Sequence, residues 1–141
     1  MIFVDSNVII DVIVSDPEWK TWSVGQIAEL SGGHRLVVNQ VVVAEVAPRL
    51  GSLETFYREI AAIGLELENL NDEAAYDAGV AFQAYRRNRG EAKMVMPDFL
   101  IGGHACTANA AILTRDPRFY ARYFPTIPLI CPSQGAPAVD V

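Results

Sequence analysis

The strongest constraint on how this chain folds is a recurring unit: a short apolar run, rich in β-branched residues, meets polar residues and then gives way to helical spacing. It occurs as Ile2-Phe3-Val4 before Asp5-Ser6-Asn7, as Leu36-Val37-Val38 before Asn39, and as Ala111-Ile112-Leu113-Thr114 before Arg115-Asp116-Pro117. Runs of this length read as buried strands, and strands alternating with helices build a parallel sheet covered by helices. The fold class is therefore α/β. Ligands in such sheets bind outside the carboxyl ends of the strands, which makes the position of Asp5 suspicious; the competing reading is that Asp5 only caps the next helix.

Between these runs the spacing predicts a helix over 8–14, broken by Asp16-Pro17, and another over 18–30 with Trp19, Trp22, Ile27 and Leu30 toward the core and Gly32-Gly33 as its stop. His34 falls in that turn, a surface position. Residues 40–50 read as a helix whose last turn Pro48 bends or shortens. Glu45 lies one turn before Arg49, so an ordinary i,i+4 surface pair competes with any role in a site. Ser52 caps a helix over 53–63 that Gly64 ends. The Leu-Glu-Leu-Glu alternation from Leu65 to Leu70 predicts a strand near the sheet edge with one wet face.

The longest helix is expected over 72–88, with Ala75, Ala78, Gly79 and Phe82 on a face that admits a close neighbour. Residues 90–95 read as a loop. Asp98 is placed to cap a helix over 99–109 that is apolar nearly all round and therefore buried, and an acid at a buried helix start must be paired or bind a metal. His104 lies about 240° round that helix from Asp98, which makes it a packed core histidine. Strand alternation puts Thr114 and Asp116 on one side, where the hydroxyl can orient the carboxylate or a water. Phe119-Tyr120 and Tyr123-Phe124 stand among arginines, as core filling or as a nucleotide-stacking surface. A last strand is expected over 127–130, and the tail from Pro132 is rich in Pro, Ala and Ser.

A chain of 141 residues suits one domain, expected over 1–131 with 132–141 as a tail. No apolar run reaches the roughly 18 to 20 residues needed to cross a bilayer, and no signal peptide fits the start. Two cysteines, Cys106 and Cys131, suit core thiols in a reducing cytoplasm rather than a disulfide framework or a zinc site. The net charge of −6 argues against nucleic acid as a partner until its distribution is read. Across 86–122, Arg86, Arg87, Arg89, Lys93, Arg115, Arg118 and Arg122 face three acids, a local +4 that leaves −10 for the remainder. Such a region is either a solvated charged face or a hold for phosphates.

Four carboxylates stand out by position: Asp5 and Asp116 at strand ends, Glu45 in the helix after the second strand and Asp98 at a buried helix start. Acids gathered on one sheet edge repel unless protonated or neutralised, and an all-oxygen set suits Mg²⁺ or Mn²⁺ rather than zinc. Such an ion can activate a water for attack on a phosphodiester.

Four segments in order resemble the PIN-domain nucleases, and within them the VapBC-type toxin ribonucleases: Asp5-Ser6-Asn7-Val8-Ile9-Ile10, Val43-Ala44-Glu45-Val46, Pro97-Asp98-Phe99-Leu100-Ile101-Gly102-Gly103-His104-Ala105 and Leu113-Thr114-Arg115-Asp116-Pro117-Arg118-Phe119. The resemblance runs from residue 2 to about 131. It implies a three-layer α/β/α fold around a parallel sheet, and an acidic quartet of Asp5, Glu45, Asp98 and Asp116, with Asp5, Asp98 and Asp116 as metal ligands and Asn7 and Thr114 in support. It also implies Mg²⁺-dependent cleavage of RNA, a homodimer and an antitoxin partner that blocks the site. Arg86, Arg87, Arg89, Lys93, Arg115 and Arg118 are the candidates to hold the RNA backbone, since phosphate contacts position a substrate without reading its sequence. Three other readings stay open: a DNA-directed nuclease using the same acids, a non-catalytic PIN-like binding module, and a haloacid-dehalogenase-like phosphatase, against which Asn7 stands where that chemistry needs a second Asp.

Overall fold

The structure, a computed structural model, describes residues 1–89 and 96–133, with the backbone alone for residues 88 and 89. In chain order its elements are β1 (Ile2–Val4), α1 (Ser6–Ile13), α2 (Lys20–Ser31), β2 (Leu36–Val38), α3 (Gln40–Val46), a 3₁₀ turn (Ala47–Leu50), α4 (Leu53–Ala62), β3 (Leu65–Leu67), α5 (Asp72–Arg89), α6 (Met96–Thr107), β4 (Ala111–Leu113), α7 (Arg118–Tyr123) and β5 (Leu129–Ile130). The strands form one parallel sheet of order β3-β2-β1-β4-β5, flanked by helices as a three-layer α/β/α fold. Every residue of β1 and β2 is buried, which is why their sequences run apolar without alternation. Because β1 pairs with β2 on one side and β4 on the other, the winding reverses between β1 and β4, and the crevice opens there at the strands' carboxyl ends. Asp5 and Asp116 follow those two strands.

Two close approaches fix α6, the helix that carries Asp98. A Cβ at Gly103 would lie 2.7 Å from the Ala78 Cβ, so α5 and α6 pack backbone to backbone through small residues, as the α5 face predicts. At Gly102 the Phe124 ring occupies the space a side chain would need. The helix begins at Met96 rather than at Phe99, since Pro97 lacks an N–H and fits a first turn whose donors are unpaired anyway. Asp98 is therefore inside the first turn and is not the cap; its carboxylate still meets the positive end of the helix.

Pro48 acts as its position predicts: without an N–H to donate to the Ala44 carbonyl, it ends α3 at Val46, and the chain continues as the 3₁₀ turn to Gly51, whose φ of 86° only glycine adopts freely. Ser52 caps α4 by accepting from the Thr55 N–H at 3.0 Å. The strands are shorter than expected. After Leu67 the chain turns as the Gln40 side chain takes the Leu70 N–H at 2.7 Å, and the Ile127 N–H is spent on the Phe124 carbonyl at 3.1 Å, with Pro128 supplying no donor, so β5 starts at Leu129.

Four core assignments need correction. Cys106 is exposed, because α6 emerges from the interior after Ala105, and Cys131 is half-buried beyond β5. Trp19 is half-buried just ahead of α2, and Trp22 packs on the core only from its margin. His104 keeps its predicted place, buried edge-on to Phe3 with its Nδ1 3.1 Å from the Asn39 amide nitrogen. Among the described residues no helix is long and apolar enough to cross a membrane.

Candidate active site

Asp5 caps α1, as one reading of its sequence position has it, and its second carboxylate oxygen faces the cavity at the carboxyl ends of the strands. Its Oδ1 accepts the Ser6 N–H at 2.8 Å at the start of α1, and its Oδ2 accepts from the Thr114 hydroxyl at 2.8 Å and the Tyr120 hydroxyl at 3.2 Å, with the Asn7 amide at 3.4 Å. Only 7% of the residue is exposed. Burial pushes its carboxyl above the usual aspartate range, against the hydrogen bonds from Thr114, Ser6 and Tyr120 that pull it down, and the nearby Glu45 charge raises it further. Tyr120, buried beside it, is pushed well above the ordinary phenol range by burial and by the Asp5 and Asp98 charges, so it acts there as a hydrogen-bond donor.

Thr114 holds the neighbouring groups in register. Its hydroxyl oxygen, while donating to Asp5, accepts the Asp116 N–H at 3.1 Å and receives the Asn7 amide at 3.3 Å. The hydroxyl thus orients the Asp5 carboxylate and the Asp116 backbone; the expectation that it would orient the Asp116 carboxylate is not met. That carboxylate is gripped instead by Arg118, with Nε at 2.9 Å and Nη2 at 3.0 Å. The Arg118 hydrogen bonds outweigh its partial burial and hold Asp116 below the usual range.

Glu45 reaches in from α3, where its carboxylate accepts the Ser6 hydroxyl proton. Among the described residues it makes no ion pair with Arg49, so the surface-pair alternative is not the arrangement adopted. Asp98 is half-buried, and its pKa is raised to about 6, first by burial and then by the charges of Asp5, Glu45 and Asp116.

All four acids line one cavity of about 300 Å³, with Asn7 and Tyr120 between them and Ile10 and Phe119 as its apolar wall. The acids offer oxygen donors only, and Asp98, raised first by burial and then by the other three acids, carries a charge that a hard cation would relieve. Among the described residues, however, no three of these groups stand close enough to grip one ion together. Glu45 and Asp116 each lean toward a protein donor of their own, Ser6 and Arg118.

The basic candidates divide. Arg86 and Arg87 are exposed near the end of α5, with the Arg86 guanidinium 6.0 Å from the Phe82 ring centre. Arg118 is committed to Asp116, and Arg115 to Asp11, its Nε 2.9 Å from the Asp11 Oδ2. The Arg89 side chain and Lys93 lie outside the described residues. Sequence reading missed Ser6, Tyr120 and Asp11. Asp11 did carry a signal: it interrupts the apolar stripe of α1 and is nonetheless 1% exposed.

Comparison with known proteins supplies the family. The family model described as PIN domain matches residues 2–125. No curated protein matches the chain. Among solved structures, the fold matches a chain of VapBC2 from Rickettsia felis bound to a DNA fragment from their promoter, at 19% identity over 93% of this chain and 98% of that one, with a TM-score of 0.69. It also matches DNA-bound VapBC from Salmonella typhimurium, at 21% identity over 92% and 96%, TM-score 0.68, and a toxin–antitoxin complex from Klebsiella pneumoniae, at 16% identity over 92% and 96%, TM-score 0.61.

Proposed function

The chain belongs to the PIN-domain family, and on that premise we propose that it is a metal-dependent endoribonuclease, the toxin of a toxin–antitoxin pair, with residues 1–131 as its single nuclease domain. What supports this most is that Asp5, Glu45, Asp98 and Asp116, from four separate segments, line one cavity at the point where the sheet's winding reverses. The likeness to structures described as VapBC and as a toxin–antitoxin complex, over nearly the whole chain, supports an antitoxin partner, and a homodimer is part of the same family reading.

Asp5, Asp98 and Asp116 would hold Mg²⁺ or Mn²⁺, which when bound lowers the pKa of a water and stabilises charge building on phosphate oxygens. The chain's own contribution is placement. Thr114, Asn7 and Tyr120 hold Asp5 in one orientation, Ser6 holds Glu45 over the cavity, and Ile10 and Phe119 exclude water from one wall. Arg86 and Arg87, with Arg89 and Lys93 in the same basic region, would carry the RNA backbone, whereas Arg115 and Arg118 are each paired with an acid and fall outside that set.

The experiment is cleavage of a panel of structured RNAs, and of DNA alongside, with Mg²⁺ and with chelator, using Asp98→Asn as control. Mg²⁺-dependent RNA cleavage lost in the variant is the expected result; equal cleavage in chelator sinks the metal mechanism, and preference for DNA moves the activity to the DNA nuclease reading. The ungathered acids favour one rival specifically, a non-catalytic binding module. Calorimetry separates it, since such a module need take up no Mg²⁺.

A further inference from the structure

Asp11 lies two turns along α1 from Asp5 and faces away from the cavity into the interior, where a lone carboxylate has no evident reason to be. Its Oδ2 accepts from Arg115 Nε at 2.9 Å and from the buried Ser23 hydroxyl of α2 at 2.9 Å, while its Oδ1 is buried with no hydrogen-bond partner among the described residues. A carboxylate in that state depends on the donors that Arg115 and Ser23 bring to its other oxygen. The Arg115 guanidinium also packs over the Trp19 ring, 5.4 Å from its centre, so the side chain is clamped between α1 and the residue leading into α2, while Ser23 of α2 holds Asp11 in turn.

What Arg115 carries explains the arrangement. It sits between Thr114 and Asp116, and its own N–H donates to Asn7 Oδ1 at 3.3 Å, leaving the Asn7 amide to reach Asp5 and Thr114. We infer that Asp11, acting through Arg115, is a positioning residue: it anchors the Thr114-Arg115-Asp116 turn to α1 and thereby sets where Asn7 and Asp116 stand relative to Asp5. The inference rests on the nuclease reading for its consequence in catalysis and on geometry alone for the anchor. It gives Arg115 the work of a strut and removes it from the RNA backbone contacts.

The chemistry allows the two roles to be told apart. Glutamine places its Nε2 as many bonds from the backbone as arginine places Nε, so Arg115→Gln keeps the donor and drops the charge, whereas Arg115→Met drops both. Four proteins are compared: wild type, Arg115→Gln, Asp11→Asn/Arg115→Gln and Asp11→Asn/Arg115→Met. The two double variants are equally uncharged and differ only in the donor. Two measurements are made, Mg²⁺-dependent RNA cleavage resolved into kcat and KM, and amide hydrogen exchange across residues 113–117 of the protein alone.

Both glutamine proteins should keep kcat within about threefold, while the methionine double variant loses about 10- to 100-fold in kcat with KM within about twofold, because misplacement near the reacting groups acts on the chemical step. Exchange at Arg115 and Asp116 should quicken in the methionine protein alone. Should that protein not fold, Ser23→Ala, which keeps both charges and removes one donor to Asp11, should show the same pattern at about two- to fivefold. Equal kcat and exchange in the two doubles overturns the inference. So does a raised KM and a shallower salt dependence in Arg115→Gln, which would make Arg115 a phosphate contact. If the wild type cleaves no RNA, the nuclease reading fails by itself, and the exchange data still decide whether Asp11 anchors the turn.

Discussion

Asp5 and Asp116 stand at the carboxyl ends of neighbouring strands, and their surroundings push them in opposite directions. Asp5 is enclosed, fed by neutral donors and raised by burial; Asp116 is half in solvent, held by a guanidinium and lowered. The difference follows from distance along the chain. Asp5 is the residue directly after β1 and inherits the strand's burial, whereas Asp116 comes two residues further from β4, past Thr114 and Arg115, where the turn has reached the surface. On the nuclease reading the two acids then divide the labour: a buried, rigid ligand that needs a cation to be comfortable ionised, and an exposed one already carrying a counter-charge.

The largest effect expected from that division is on cleavage. Asp5→Asn and Asp98→Asn should each reduce kcat/KM on RNA by about 10³-fold or more, and Asp116→Asn by only about 10- to 100-fold, since Arg118 already neutralises much of its charge. Circular dichroism should show all three folded. An Asp116→Asn loss as deep as that of Asp5→Asn would mean that the Arg118 pair gives way in the working enzyme, and the comparison would collapse.

The sequence carried much of this, unevenly. Strands, their order of appearance and the segments that carry the four acids to one cavity were legible because each element rests on a local pattern: apolar runs for burial, Pro48 for the end of α3, Ser52 for a cap. The partners of those acids were not, because they come from remote segments. Glu45 has Arg49 one turn away, and its carboxylate instead takes the hydroxyl of Ser6, 39 residues earlier. Tyr120 reads as one more aromatic in an aromatic stretch, and only tertiary packing points its hydroxyl at Asp5. The start of α6 was misjudged for the same kind of reason, since a proline in a first turn and an acid at the cap look alike until the backbone is seen.

Asp98 is raised first by its burial and then by the charges of Asp5, Glu45 and Asp116, which makes its ionised form costly in the folded protein. Its folded pKa of about 6 lies above the ordinary aspartate value, so the folded protein binds the extra proton, and stability falls as pH rises through 4 to 6 and stays lost above it. Removing the charge should then help the metal-free protein. Asp98→Asn should raise its stability at pH 7.5 by about 1 to 2 kcal/mol, allowing for solvent screening of a half-exposed group, or roughly 3 to 8 °C in Tm. The gain should vanish toward pH 4, and added Mg²⁺ should reverse the order of the two proteins by stabilising only the one that binds it. A variant no more stable than wild type at pH 7.5 in chelator would show that burial and the neighbouring acids do not burden the Asp98 charge as its position implies.

The smallest effect tests the exposed half of the comparison. Arg118 is 88% exposed and Asp116 51%, so the pair adds little to stability, and Arg118→Gln should leave Tm within about 1 °C. Its consequence should appear in the site instead. With the guanidinium gone, Asp116 loses the hydrogen bonds that hold its carboxyl low, and both of its oxygens become available to a cation that formerly competed with Arg118 for them. Mg²⁺ affinity measured by calorimetry should therefore rise about two- to fivefold, the range in which exposed ion pairs act. The same substitution made beside Asp116→Asn should change affinity hardly at all, because the competition it relieves is already absent. An affinity that falls in Arg118→Gln would mean that the arginine orients Asp116 toward the ion rather than withholding it, and the two acids would then be partners of one kind.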